Sequence, residues 1–184
     1  LQLGISRGSP EQVIEGYRYF GYVPAEGQTD ADMARGHADV FLDLLRGEGF
    51  AEPNPRPMFP NPPGLLRLEP FSETLRQRIW WGAASTATAQ WAATKGMHLQ
   101  SSTLVFDESG KPFHVQQAEQ IRAYRTSWAE AGHAGTPRVS VSRSIFPLVD
   151  DRDRAYFGGG GSDDHFGYIE PEKRAAFGRT YADE

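Results

Sequence analysis

Small residues between a short apolar run and an alanine-rich stretch form the sharpest chemical feature of the sequence. Ile79-Trp80-Trp81 is followed by Gly82-Ala83-Ala84-Ser85-Thr86, after which residues 87–95 have the composition of a helix. Small side chains at such a turn let an anion approach the free backbone amides at the amino terminus of the helix. The pattern therefore predicts a phosphate cradle. The alternative is that Ser85 only caps the helix, as in many helices that bind nothing.

Other residue types with catalytic potential do not form a recognisable site. The five histidines show no i, i+4 pair for a metal ion, and the absence of cysteine excludes disulfides, thiolate zinc sites and cysteine nucleophiles. Adjacent acids, as in Asp150-Asp151 and Asp163-Asp164, do not face one another. No Gly-x-Ser-x-Gly elbow is present. No metal site is predicted, the catalytic residues stay unknown, and His37 is left open between a surface and a cofactor-facing position.

These residues need a scaffold, and the sequence predicts an α/β fold. Short apolar runs near Leu1, Ile79, Met97 and Val139 are typical of buried parallel strands. Helical patterns cover residues 29–46, 85–95 and 115–132, with shorter helices at 150–157 and 171–177. The four strands should therefore be parallel neighbours. In the helix over 115–132, the apolar positions are expected to be Ala118, Ile121, Tyr124, Trp128 and Ala131.

A proline-rich segment interrupts this alternation. Residues 53–63 contain six prolines, which lack the amide hydrogen that a strand ladder needs. We therefore predict an insertion loop over 53–64 outside the sheet, with residues 65–68 as a candidate short strand. Met58 and Phe59 suggest a loop that packs on the domain.

Two stretches resemble the bacterial luciferase-like flavin-dependent monooxygenases. They are Arg78-Ile79-Trp80-Trp81-Gly82-Ala83-Ala84-Ser85-Thr86-Ala87-Thr88-Ala89 and Lys95-Gly96-Met97-His98-Leu99-Gln100-Ser101-Ser102-Thr103. The opening Leu3-Gly4-Ile5-Ser6-Arg7-Gly8-Ser9-Pro10-Glu11 resembles the end of a middle strand in the same family. The resemblance implies a (β/α)8 barrel, the TIM barrel, that binds its flavin at the carboxyl ends of the strands.

The resemblance also implies the cofactor and its contacts. Reduced flavin mononucleotide, FMN, supplied by a partner reductase, would react with oxygen to oxygenate a small organic substrate; the alternative within the class is hydride transfer with the deazaflavin F420. Ala83, Ala84, Ser85 and Thr86 would contact the flavin phosphate, and Ser6, Arg7 and Gly8 would face the cofactor. Arg7 is ambiguous, because its guanidinium suits a phosphate but an arginine after a strand is commonly ion-paired.

Length and charge set the remaining expectations. The 184 residues would be one luciferase-like domain that lacks the first strands and the last strand of the barrel, so an inactive barrel fragment is the rival hypothesis. A net charge of −5 argues against a nucleic-acid partner. No apolar run is long enough for a membrane span. We expect a cytoplasmic protein that forms a homo-oligomer in its full-length parent.

Overall fold

The computed structural model describes residues 1–8, 15–102, 111, 113–141 and 149–157. The chain divides into two compact units, Leu1–Gly82 with Gly96–His98 and Ala83–Lys95 with Leu99–Glu184. Four strands form an all-parallel sheet in the order β1 (Leu3–Ile5), β2 (Ile79–Ala83), β3 (His98–Ser101) and β4 (Val139–Val141). The predicted α/β class and the four parallel neighbouring strands are confirmed.

The first unit holds β1, all of β2 except Ala83, and a long helix, α1 (Asp30–Leu44). β1 pairs with β2 in parallel register, Leu3 opposite Ile79 and Ile5 opposite Trp81. Two short 3-10 helices, Gly16–Phe20 and Leu75–Arg78, precede α1 and β2. The buried apolar residues of this unit are Ala38, Leu42, Leu45, Ile79, Trp81 and Met97.

Helix α1 begins where its sequence provides a cap. The Thr29 hydroxyl accepts a hydrogen bond from the Asp32 amide at 3.1 Å, and the Asp32 carboxylate accepts one from the Thr29 amide at 2.9 Å. This reciprocal capping box satisfies amides that the first helical turn leaves without a partner. The predicted helix over 29–46 is therefore confirmed.

The second unit packs two helices together, α2 (Thr86–Thr94) and α3 (Phe113–Glu130). Ala89, Ala92 and Ala93 of α2 are completely buried, and their small side chains allow a close approach of the helices. β3 pairs with β4 in parallel register, Leu99 opposite Val139. A short α4 (Asp151–Phe157) follows, as predicted, whereas the helix predicted at 171–177 lies outside the described residues.

The buried face of α3 differs from the predicted apolar face. Tyr124 and Trp128 are buried as expected, but Ala131 is exposed, and Ala118 and Ile121 are only partly covered. The positions buried beside the two aromatic residues are polar: Gln116, Gln117, Gln120 and Ser127. Gln117 and Gln120 reach backbone carbonyls and a serine hydroxyl at the strand ends, and Gln116 donates to the Lys111 carbonyl just before α3. Such pairing makes the burial of these side chains tolerable.

The proline-rich segment lies outside the strands, as predicted. Between residues 53 and 64 the chain has only bends and stretches without regular structure, and an isolated antiparallel bridge joins Ala51 to Leu66 just outside it. The candidate strand over 65–68 is thus reduced to a single bridge. The expectation that Met58 and Phe59 pack is wrong: they are 91% and 75% exposed.

Candidate functional site

A pocket of about 310 Å³ lies in the first unit, beside the residues that follow β1. One stripe of α1 forms a wall of this α1 pocket, with side chains at helical spacings of three and four: Asp30, Met33, Ala34, His37, Ala38 and Phe41. The other lining residues come from β1 and its exit, the 3-10 helix region and β2: Ile5, Ser6, Arg7, Tyr17, Tyr22 and Trp81. Its volume lies near the lower limit of small-molecule sites, about 300–1,000 Å³.

The exit of β1 brings Ser6 and Arg7 to the pocket. The Ser6 hydroxyl accepts a hydrogen bond from the Gly8 amide at 3.1 Å, which turns the chain directly after the strand. Gly8 has φ of 86°, a left-handed conformation that glycine adopts without strain. On the neighbouring strand, a Cβ at Gly82 would lie 3.2 Å from the Ser6 Cβ, so the missing side chain leaves room for this exit.

Arg7 forms an ion pair across the pocket wall. Its Nη1 atom lies 3.4 Å from Oδ2 of Asp30, the first residue of α1, and both side chains are partly exposed. The other carboxylate oxygen of Asp30 accepts a hydrogen bond from the Ala31 amide at 2.9 Å. Of the two roles considered for Arg7, the structure shows the ion pair, because within this unit its charge has an acidic partner.

Aromatic rings cover much of the remaining wall. The Tyr22 ring and the His37 imidazole are 4.9 Å apart between centroids and tilted by 59°, while Trp81 is almost completely buried. Tyr17 donates a hydrogen bond from its hydroxyl to Glu15 at 3.2 Å. Partial desolvation, followed by this bond, raises the pKa of Tyr17, so the hydroxyl stays protonated at neutral pH. The pocket therefore offers flat apolar surfaces with polar edges.

The predicted phosphate segment lies at the end of β2. Ala83 is completely buried, and its carbonyl accepts hydrogen bonds from the Ser102 amide at 3.0 Å and Gln120 Nε2 at 3.3 Å. Ala84, Ser85 and Thr86 are exposed. Ser85 is the N-cap of α2, and its hydroxyl accepts the Thr88 amide at 3.2 Å. Ser85 therefore caps α2, and binding of an anion at this terminus stays a prediction.

The structure places the predicted contacts in two groups. Ser6, Arg7 and Gly8 lie together at the exit of β1 in the first unit, whereas Ala83–Thr86 open the second unit.

The histidines have different environments. His37, whose position the sequence left open, lines the α1 pocket. His98 is buried, and its ring lies 4.9 Å from that of Trp80. Within the described ranges, no group of three potential metal ligands occurs.

The comparisons with known proteins leave the family open. No protein-family model matches the chain. No curated protein matches it either. Within the described part of the chain, no helix combines the length and apolar character that a membrane crossing requires.

Tyr17, Tyr22, Asp30 and Trp81 are pocket residues that the sequence did not indicate. Tyr17 and Tyr22 belong to a region without regular periodicity, and Trp81 comes from a strand sixty residues later. The stripe on α1 was a usable indication, because Asp30 and His37 interrupt an otherwise apolar face at helical spacing. When polar residues interrupt a helix face that is expected to be buried, they indicate that this face lines a pocket as well as packing on a core.

Proposed function

We propose that this chain belongs to a luciferase-like flavin-dependent oxidoreductase and that its parallel strands are part of a (β/α)8 barrel. In this proposal, reduced FMN and molecular oxygen oxygenate a small organic substrate, yielding oxidised flavin, the oxygenated product and water. The observation that carries the proposal is the α1 pocket, which begins where β1 ends. Ligands of α/β barrels and open parallel sheets bind at the carboxyl ends of the strands.

Each unit, taken by itself, has residues at a strand end that suit a part of the cofactor. Ala84, Ser85 and Thr86 combine small exposed side chains with the amino terminus of a nine-residue helix, a combination that favours phosphate. At the exit of β1, Ser6 and Arg7 offer a hydroxyl and a guanidinium for polar atoms of a flavin. Bound flavin would supply the electron transfer to oxygen. The chain would bind and orient the cofactor and keep water from the reacting atoms through buried walls such as Trp81.

The primary test is a titration of the chain with FMN, followed by flavin fluorescence, beside a parallel titration with F420. Saturable binding of FMN supports the proposal, and the cofactor that binds more tightly decides between the oxygenase and the hydride-transfer alternative. If neither binds, the chain is better described by the inactive-fragment hypothesis. Spectroscopy of the bound flavin is preferable to a turnover assay, because it needs neither the reductase nor a known substrate.

A substitution of Ser85 isolates the phosphate contact. Ser85→Asp keeps a good N-cap but places a carboxylate where the phosphate would bind. We expect FMN affinity to fall at least about tenfold, which is about 1.4 kcal/mol. The melting temperature of the flavin-free protein should be nearly unchanged. Ser85→Asn, which caps without charge, is the matched control and should retain most of the affinity. Unaltered FMN binding by Ser85→Asp would mean that this turn only caps α2.

A further inference from the structure

We infer that the α1 pocket binds the organic substrate and that this substrate is a small, uncharged, planar aromatic molecule. The inference depends on the proposed function only in that it calls the bound ligand a substrate. The pocket adjoins Ser6 and Arg7, the proposed flavin contacts, so a molecule bound there would lie beside the cofactor. Its ligand preference follows from the shape and charge of the first unit alone.

The walls favour a flat ring. Tyr22 and His37 meet at a tilt of 59°, and Trp81, which is almost completely buried, is a further lining residue. Aromatic rings attract other rings in tilted or offset arrangements, by about 0.5–1.5 kcal/mol beyond the burial of surface. A saturated ring of the same size would bury similar area without this gain. The volume of about 310 Å³ favours one or two fused rings.

The charges favour an uncharged ligand. Arg7 and Asp30 are the ionised pair among the described lining residues, and they lie 3.4 Å apart. A carboxylate drawn to Arg7 would approach Asp30, and an ammonium drawn to Asp30 would approach Arg7. Like charges placed together in a binding site oppose binding. The pair therefore discriminates against both signs while still hydrogen-bonding a hydroxyl or carbonyl substituent.

Four probes that share one skeleton test this inference: 2-naphthalenemethanol, 2-naphthoate, 2-naphthylmethylamine and decahydro-2-naphthalenemethanol. They are titrated into the chain without flavin at pH 8, where imidazoles are generally neutral. Binding is followed through the indole NH resonance of Trp81. We expect 2-naphthalenemethanol to bind about tenfold more tightly than either charged analogue, and severalfold more tightly than the saturated alcohol. Equal affinities across the set, or no binding of the aromatic alcohol, would overturn the inference.

Two charge variants test the role of the Arg7–Asp30 pair with the same four probes, so that the shape of the ligand is held constant. Asp30→Asn keeps a group that can accept from the Ala31 amide but leaves the Arg7 charge uncompensated, so 2-naphthoate should become the preferred probe. Arg7→Gln should shift the preference to 2-naphthylmethylamine by the same reasoning. If neither variant changes the order of the probes, the ion pair does not set specificity and the uncharged class is wrong.

A matched tyrosine pair locates the site. Tyr22→Ala removes a lining ring and should weaken 2-naphthalenemethanol binding about tenfold. Tyr19→Ala removes a ring that is 82% exposed and outside the pocket, and it should leave binding unchanged. Equal effects of the two would contradict the site. FMN that displaces 2-naphthalenemethanol would overturn the substrate assignment and leave the proposed function standing. Probe binding without FMN binding would overturn the proposed function and leave only the ligand class of the pocket standing.

Discussion

Asp32 stabilises the first turn of α1 through both carboxylate oxygens. One oxygen accepts from the Thr29 hydroxyl at 2.7 Å and the Thr29 amide at 2.9 Å, and the other pairs with Arg35. The hydrogen bonds from Thr29, followed by that from Arg35, lower the pKa of Asp32 to about 2. These contacts hold the ionised carboxylate, so they depend on pH.

The sign of this dependence follows from linkage. A carboxyl whose pKa is lower in the folded than in the unfolded chain stabilises the fold above the unfolded value, and that contribution is lost as pH falls through the folded value. For Asp32 the loss should occur between about pH 4 and pH 2. Asp32→Asn should remove this part of the acid sensitivity of the melting temperature. A carboxyl carbon of Asp32 that titrates near pH 4 in NMR would contradict the prediction.

The structural roles of individual residues were predictable where their hydrogen-bond partners are close in sequence. Ser85 caps α2 as expected, and Thr29 caps α1 at the predicted start of the helix over 29–46, because a cap contacts atoms only two or three residues away. Gln120 was missed because its partners, Ser101 and Ala83, lie in two strands. Its Oε1 accepts from the Ser101 hydroxyl at 2.6 Å, and burial of an amide is tolerated only with such long-range pairing. Nothing in the local pattern of α3 reports that pairing.

At the scale of elements, glycines with different surroundings offer a paired test. Gly36 lies within α1, and a Cβ there would meet no atom within 4 Å. Gly36→Ala should therefore raise the free energy of unfolding by about 0.5–1 kcal/mol, since alanine restricts the unfolded chain and favours helix. A Cβ at Gly49 would collide with the backbone of Leu65, whose neighbour Leu66 pairs with Ala51. Gly49→Ala should lower the free energy of unfolding by about 1–3 kcal/mol.

Denaturant unfolding followed by circular dichroism checks both substitutions under the same conditions. Opposite signs are expected, although the chemical change is the same at both positions. Equal effects would mean that the approach of Leu65 to Gly49 does not constrain the segment. Gly47 is less suitable for this comparison, because its φ of 83° would strain an alanine whatever the space around it.

Helices, strands and loops were predictable because their determinants are local. The loop over residues 53–64 shows that the packing of such an element is not predictable in the same way. Proline density excludes that segment from a ladder wherever the chain folds. Whether Met58 covers anything depends on which surfaces come near, which no property of the segment itself specifies. The prediction of its path outside the strands was therefore confirmed, and the prediction that it packs was wrong.

At the scale of the whole molecule, the candidate site is the part least accessible from sequence. The α1 pocket joins residues around position 5, the region from 17 to 41, and Trp81. Parallel pairing of β1 with β2 brings the first and last of these together, and only the tertiary structure specifies which aromatic rings share a cavity. Sequence indicated the strand ends and Arg7, but not the Asp30 partner or the ring of Tyr22 that give the pocket its chemistry.

Differences in side-chain burial across the molecule predict which segments resist local unfolding. Met97 is completely buried, whereas Met58 is 91% exposed. Met97→Ala should lower the free energy of unfolding by about 2–5 kcal/mol, and Met58→Ala should change it by less than about 0.5 kcal/mol. In native-state hydrogen exchange, the amides of 79–83 and 97–101 should exchange more slowly than those of 53–64, because opening the two strand segments exposes buried apolar side chains. Met97→Ala should accelerate exchange in 97–101 and leave 53–64 unchanged. Similar exchange rates in the two classes of segment would show that the buried strands are not the stable centre of the fold.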